Sequence, residues 1–206
     1  ILYEEEVESM EKIAILADSG CQIPVDSREN EGIFIAPLTI TMEGKSYLDD
    51  IEIHSIDVFK RMEKDDIMVM TSQPSTGSLQ EAVQKIKDQG YSHVIGLPIA
   101  TGLSSTMNGM KLACDMLEMP VTLVDTKGTA SNQKYLVEVA AKLAREGKSP
   151  EEIKDILEKL VEDSATIIMV PNLDHLKKGG RITPAVAALA GLLKIVPIMK
   201  LNYSLG

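Results

Sequence analysis

Short apolar runs alternate with amphipathic segments over most of this chain. Buried strands are predicted by the runs at 12–19, 67–72, 93–100 and 120–126. Two of the intervening segments, 76–90 and 105–119, are typical of helices, and Gly90 closes the first of them. Alternation of this kind indicates βαβ units, so the sequence predicts an α/β fold with a parallel sheet.

The other elements fit this pattern less regularly. The apolar run 33–42 predicts one further strand, followed by a hairpin or an excursion at the edge of the sheet. A helix is predicted over 56–64. Another is predicted over 149–164, where apolar residues share one face and Ser149 is a candidate cap.

A new strand is predicted to begin near Ala165, which makes this position a candidate domain boundary. We expect an acidic N-terminal extension over 1–11 and an N-terminal α/β lobe over 12–164. Residues 165–206 are expected to form the start of a second α/β lobe that is incomplete at Gly206.

Composition narrows the class of protein. The chain has 206 residues, of which 44% are hydrophobic, as is typical of one or two globular units. Its net charge of −10 gives no general attraction to a polyanion, so nucleic-acid binding is not expected. No apolar stretch reaches the roughly 18 residues of a membrane span, so stable membrane insertion is not expected either. All acidic residues precede position 175, which leaves a basic island over 175–206.

Cofactors and secretion leave no signature in the sequence. Cys21 and Cys114 lack the spacing of metal or redox motifs, and the acidic residues show no metal-ligand spacing. Neither a Walker pattern nor a glycine-rich dinucleotide motif is found. The acidic N-terminal segment does not resemble a secretory signal, so we expect a cytoplasmic protein without a metal or cofactor.

Polar residues collect where the predicted strands end. In open parallel sheets, ligands bind beyond the carboxyl ends of the strands. Hydroxyls beside helix N-termini favour an anion, and a singly charged carboxylate fits clusters without Lys or Arg better than a triphosphate does. Each Ser or Thr alone is equally an ordinary helix cap. The residues concerned are Asp18, Ser19, Thr71, Ser72, Gln73, Ser75, Thr101, Ser104, Ser105, Thr106, Asp125 and Thr126.

Catalysis is the alternative interpretation of the same residues. Ser72, Ser104 or Cys21 could serve as the nucleophile of a small-molecule hydrolase or transferase. However, no GxSxG motif surrounds either serine, and no histidine lies in their clusters. His175, in the basic island, is the histidine of most interest. For Cys21, a plain buried thiol is the competing interpretation.

Motifs in a specific order carry a family resemblance. They are KIAILADSGCQIP (12–24), TSQPSTG (71–77), IATGLSSTMNG (99–109) and LKKGGRITPAVAALAGLLKIVPIMKL (176–201). Together these blocks resemble the DegV family, bacterial fatty-acid-binding proteins that serve a fatty acid kinase. The sequence departs from the family pattern at Ala100 and Thr101, where a Ser pair is usual, and at Ser105, where Gly is usual.

The resemblance implies a DegV-like two-lobed fold with a long-chain fatty acid buried between the lobes. Such a protein is a carrier and not itself an enzyme, and it presents the fatty acid to a separate kinase subunit. By position, Ser72, Thr71 and Ser104 would hold the carboxylate, and Arg181 would lie near the portal or the kinase surface. Further ligand or portal contacts are expected from Thr101, Ser105, Asp18 and Ser19. Pocket volume is expected to depend on residues such as Leu97, Ile99, Leu189 and Leu192.

Overall fold

The computed structural model describes residues 11–65, 67–170, 173–183 and 196–201. Helices and strands alternate along most of this length. In chain order they are β1 Ile13–Asp18, β2 Ile33–Ala36, β3 Thr39–Met42, β4 Lys45–Leu48, α1 Ser55–Asp65, β5 Val69–Ser72, α2 Thr76–Asp88, β6 His93–Leu97, α3 Thr106–Met116, β7 Val121–Leu123, α4 Ala130–Arg145, α5 Pro150–Glu162, β8 Ile167–Met169, α6 Asp174–Lys178 and β9 Ile198–Lys200.

A parallel sheet in the order β2-β1-β6-β7 forms the centre of the protein. Ile15 of β1 is in register with Ile33 on one side and with Ile95 on the other. Every residue of β1 is buried, because helices cover both faces of the sheet, as parallel sheets require. The predicted α/β fold with a parallel sheet is therefore confirmed.

Two apolar cores lie on opposite faces of this sheet. Successive side chains of a strand point to opposite faces, so Ile15 packs with α4 and α5 while Leu16 packs with α2 and α3. Helix α5 begins with the predicted cap: the Ser149 hydroxyl accepts a hydrogen bond from Glu152 N, and the Glu152 carboxylate accepts one from Ser149 N.

A second, antiparallel sheet of the described residues corrects two predictions. The run 33–42 is not one strand: it divides at Pro37, so that β2 joins the parallel sheet and β3 joins a sheet in the order β4-β3-β5. Pro37 lacks the N–H that an uninterrupted strand would use. The run 67–72 is likewise not a parallel strand, since β5 pairs antiparallel with β3. Its residues from Met70 to Ser72 are exposed, whereas a central parallel strand would be covered on both faces.

Strands β8 and β9 pair with each other and not with the parallel sheet. The proposed boundary near Ala165 and the two-lobed division stay predictions. Residues 1–10 of the predicted extension over 1–11 lie outside the described residues, as do Leu189 and Leu192. Among the residues that the structure does describe, no helix is both long enough and apolar enough to cross a membrane.

Candidate functional site

A cavity of about 390 Å³ lies where the antiparallel sheet meets the segment after β6 and helix α6. Its wall is largely apolar, and the polar groups are few. The apolar lining comes from Leu38, Ile40, Val58, Phe59, Met62, Val69, Met70, Ile99, Leu103 and Leu176. The remaining lining residues are Ser55, Thr71, Ser72, Ser104, His175, Gly179 and Arg181. Thr71, Ser72 and Ser104 thus meet at one cavity, although β5 and β6 belong to different sheets.

Strand β5 presents Thr71 and Ser72 at its end. Ser72 is in register with Thr39 of β3, and Thr71 is in register with Ile40. Both residues are exposed. Neither hydroxyl forms a hydrogen bond with a described residue, so both are available as donors to a ligand.

Ser104 reaches the cavity from a tight turn after β6. The turn is closed by hydrogen bonds from Leu103 N and Ser104 N to Ala100 O, at 2.9 and 3.2 Å. The Ser104 hydroxyl lies 2.8 Å from the Thr106 hydroxyl and accepts a bond of 3.3 Å from Thr106 N at the start of α3. Ser105 is the N-cap residue of α3, but the hydroxyl that accepts a hydrogen bond from the first turn is that of Ser104, which also lines the cavity.

Arg181 connects the two hydroxyl-bearing segments. Its guanidinium donates to Thr71 O at 3.2 Å, to Leu103 O at 3.2 Å and to Gly179 O at 2.8 Å. Thr71 and Leu103 are the neighbours of Ser72 and Ser104, so this side chain holds the two serines at one edge of the cavity. No carboxylate among the described residues forms an ion pair with it, which leaves a positive charge beside the hydroxyls.

His175 also lines the cavity, from helix α6. Its Nδ1 lies 3.4 Å from Val69 O, and it makes no hydrogen bond to Ser72 or Ser104. In the sequence, His175 is of interest only because it lies in the basic island over 175–206. The structure brings it to the same cavity as the hydroxyls.

Four of the residues expected as further contacts lie outside this lining. Thr101 is bonded to Asp125 through its hydroxyl and its N–H. Ser105 is exposed beside Ser104. The Ser19 hydroxyl donates to Asp49 at 2.6 Å and accepts from Leu38 N at 3.0 Å. Asp18 is fully buried.

Burial shapes the electrostatics of Asp18. It raises the pKa of this carboxyl to about 6, against the hydrogen bonds from Ile99 N, Gln133 and Gly20 N, which lower it. The carboxylate accepts from Ile99 N at 2.7 Å, from Gly20 N at 3.0 Å and from the Gln133 amide at 3.2 Å. Asp18 therefore bonds to the chain around the cavity and does not face the cavity itself.

The groups proposed for catalysis are not activated in this arrangement. Burial raises the pKa of the Cys21 thiol to about 12, so the reactive thiolate is scarce at neutral pH. No histidine or carboxylate among the described residues is hydrogen-bonded to Ser72 or Ser104. The described residues also contain no cluster of three or more side chains suited to a metal ion.

One wall of the cavity was not anticipated from the sequence. Helix α1 contributes Val58, Phe59 and Met62, of which Val58 and Met62 also pack in the small core under the antiparallel sheet. Phe59 is 60% exposed. The apolar face of α1 is wider than this small core can cover. That width was the signal in the sequence, because it implies that the helix also lines a second apolar surface.

The cavity and the sheet define a class: an α/β protein with an apolar ligand cavity that ends in a few hydroxyls and a guanidinium. The chain belongs to the DegV family. A family model for uncharacterised DegV proteins matches residues 12–204. A DegV domain-containing protein of Staphylococcus aureus strain N315 is 33% identical over 193 residues, which is 94% of this chain and 68% of that protein.

Solved structures of the family are similar over the same length. A fatty-acid-binding DegV family protein from Thermus thermophilus has a TM-score of 0.79 at 31% identity, covering 93% of this chain and 68% of that one. DegV of Bacillus subtilis, a fatty acid binding protein, has a TM-score of 0.81 at 30% identity, covering 94% and 69%. A stearic acid-binding protein from Eubacterium ventriosum has a TM-score of 0.80 at 26% identity, covering 94% and 68%.

Proposed function

We propose that this chain binds a long-chain fatty acid in the cavity and presents it to a separate fatty acid kinase. The hydroxyls of Ser72, Thr71 and Ser104 would hold the carboxylate, and the acyl chain would lie against the apolar wall. The kinase would then transfer a phosphoryl group to the carboxylate and form an acyl phosphate. The proposal describes a cytoplasmic carrier whose ligand is the fatty acid and which needs no cofactor.

The observation that carries the proposal is the amphipathic division of the cavity. Its volume of about 390 Å³ lies within the usual range of ligand pockets. Burial of methylene groups contributes about 0.8 kcal/mol each, or on the order of 12 kcal/mol for a sixteen-carbon chain before ordering costs are subtracted. An apolar wall can therefore supply the affinity, while a few donors fix the orientation.

The relatives support the chemical class of the ligand. The proteins from Thermus thermophilus, Bacillus subtilis and Eubacterium ventriosum, each more than 25% identical to this chain, bind fatty acids. Their similarity covers over nine-tenths of this chain.

Access to the carboxylate end supports presentation to a second protein. Thr71 and Ser72 are exposed, so a head group bound there would be accessible from solvent. Lys177 and Lys178 of α6 are also exposed close to Arg181. This positive charge favours an acidic or phosphate-bearing partner. No specific observation favours the alternative hydrolase or transferase.

Two measurements test the proposal. Mass spectrometry of the denatured, purified protein should detect fatty acid in stoichiometric amount. The Ser72→Ala/Ser104→Ala double variant should bind added fatty acid at least about tenfold more weakly, because it loses two hydroxyl donors to the carboxylate. Ser105→Ala is the matched control, because Ser105 adjoins Ser104 but does not line the cavity. A wild-type protein that neither carries nor binds fatty acid would refute the function.

The kinase step needs its own assay. A fatty acid kinase supplied with ATP should form acyl phosphate only when the loaded protein is present. Unchanged affinity in the double variant would remove the carboxylate assignment, and absence of acyl phosphate with every such kinase would remove the kinase partner.

A further inference from the structure

Within the part of the chain that the structure describes, the buried polar side chains are concentrated around the cavity wall. Five polar or charged residues are buried among those that the structure describes: Asp18, Ser19, Thr106, Thr126 and Gln133. Each bonds to a segment that lines the cavity or directly precedes that lining. Buried polar groups are costly unless they are satisfied, so their restriction to this region requires a reason.

Asp18 and Gln133 hold the segment that leads to Ser104. The Asp18 carboxylate accepts from Ile99 N at 2.7 Å, and Ile99 lines the cavity. The Gln133 amide of α4 donates to Leu97 O at 3.0 Å and to Asp18 at 3.2 Å. Backbone atoms immediately before the turn of Ser104 are thereby fixed by two side chains that are themselves buried.

The three other buried polar side chains, Thr126, Thr106 and Ser19, bond to further segments of the cavity wall. The Thr126 hydroxyl donates to Pro98 O at 2.7 Å, and the Thr106 hydroxyl lies 2.8 Å from that of Ser104. On the opposite wall the Ser19 hydroxyl accepts from Leu38 N at 3.0 Å. We refer to these five buried side chains as the polar clamp.

The clamp lies at the point where the order of the parallel strands reverses. From β1 the chain continues to β2 on one side, and β6 lies on the other. The crevice at such a reversal is where open α/β sheets usually bind ligands. Here Asp18, at the end of β1, spans it to the segment after β6 with its own carboxylate. The cavity lies to one side of that bridge.

We propose that Asp18 is a positioning residue for the bound carboxylate: it touches no ligand, but through Ile99 N it holds the turn that aims Ser104 into the cavity. This inference rests on the proposed fatty-acid function. An ionised carboxylate has two acceptor oxygens, so it can accept hydrogen bonds from all three N–H groups that converge on Asp18. A protonated carboxyl or an amide carries a donor of its own and must point it toward one of these N–H groups.

The charges around Asp18 set its response to pH. The Asp49 carboxylate opposes its ionisation, and the Cys21 thiol is its titratable neighbour in the same turn. Helix α4 presents the neutral Gln133 amide, followed by Lys134, and the segment after β6 presents backbone N–H. Because burial raises the pKa of Asp18 to about 6, mild acid should weaken the clamp.

A double-mutant cycle separates positioning from general destabilisation. We expect Asp18→Asn to lower fatty-acid affinity about tenfold in the wild-type background and less than threefold in Ser104→Ala, since coupled residues are not additive. Val83→Ala is the control for lost stability. Val83 is buried in the core on the α2 and α3 face, remote from the cavity lining, so its variant should bind normally. If Asp18→Asn does not fold, Gln133→Met takes its place in the same cycle.

A pH series supplies the second measurement. Binding of a fatty alcohol, which does not titrate, should weaken from pH 7 to pH 5 in the wild type and stay constant in Asp18→Asn. Equal losses in both backgrounds of the cycle, or normal affinity in Asp18→Asn, would overturn the positioning role. Failure of the wild type to bind any fatty acid would instead refute the underlying function.

Discussion

Ionisation of Asp18 should reduce the stability of the fold, and the size of the effect follows from its burial. This carboxyl is fully buried, and its pKa rises from the ordinary 3.8 to about 6 on folding. A raised carboxyl pKa means that the folded state binds the proton more tightly than the unfolded state. The stabilisation by that proton is complete below pH 3.8 and is lost as the pH rises through 6. The difference amounts to about 3 kcal/mol.

Asp18→Asn should remove this pH dependence, because an amide does not titrate. We would measure the free energy of unfolding by urea between pH 4 and pH 7 on ligand-free protein, since bound ligand adds its own stabilisation. The carboxyl groups that do not interact with Asp18 contribute equally to both proteins. Part of the proton is already released from the unfolded state at pH 4, so the wild type should lose about 2 kcal/mol more than the variant across this interval. Parallel curves would refute the buried, raised-pKa state of Asp18.

The same carboxyl also predicts opposite trends for stability and binding. Acidification from pH 7 to pH 5 should raise its contribution to stability while it weakens the clamp around the turn of Ser104. A simple acid-induced loosening of the whole protein would lower both quantities together. The two measurements therefore distinguish a local change from a global one.

Two further predictions concern tightly packed positions. A Cβ on Gly20 would lie 2.7 Å from a buried carboxylate oxygen, so Gly20→Ala should destabilise the fold by about 1–3 kcal/mol in urea unfolding. The Cβ of Gly77→Ala would meet nothing closer than 3.8 Å, so this variant should stabilise helix α2 by about 0.5–1 kcal/mol. Equal changes in unfolding free energy for the two glycine variants would contradict the packing argument. Burial raises the pKa of Cys21 to about 12 and of Cys114 to about 11. Iodoacetamide at pH 8 should thus label both thiols in urea and neither in native protein; native labelling would disprove their burial.

The parallel sheet was predictable from the sequence because its strands are apolar on both faces and are separated by helical segments. β1, β6 and β7 all fall within predicted runs. The hydroxyl groups could also be found, since Thr71, Ser72 and Ser104 lie at strand ends and within the family motifs. What brings them together could not be predicted, because it depends on the pairing of β5 with β3 and on the three carbonyl contacts of Arg181.

The incorrect predictions have a common physical cause. An apolar run reports burial, but it does not identify the sheet in which a strand is buried. Pro37 interrupts the run 33–42, and it was the local signal for a division between two sheets. The expectation that Asp18 contacts a ligand depends on information of the same kind. A polar residue at the end of a strand can face a ligand or bond to its own chain, and only the position of Ile99 N decides between the two.

The division at Pro37 also separates most of the cavity wall from the central sheet. Strands β3, β4 and β5 and helix α1 form one continuous insertion, residues 37–75, between β2 and α2. Their small core contains Ile40, Met42, Ile53 and Val58 and is separate from the two cores of the parallel sheet. Substitutions in this insertion can alter the depth and shape of the cavity without disturbing the central sheet. The shape of the cavity and the stability of the central sheet therefore depend on different sets of residues.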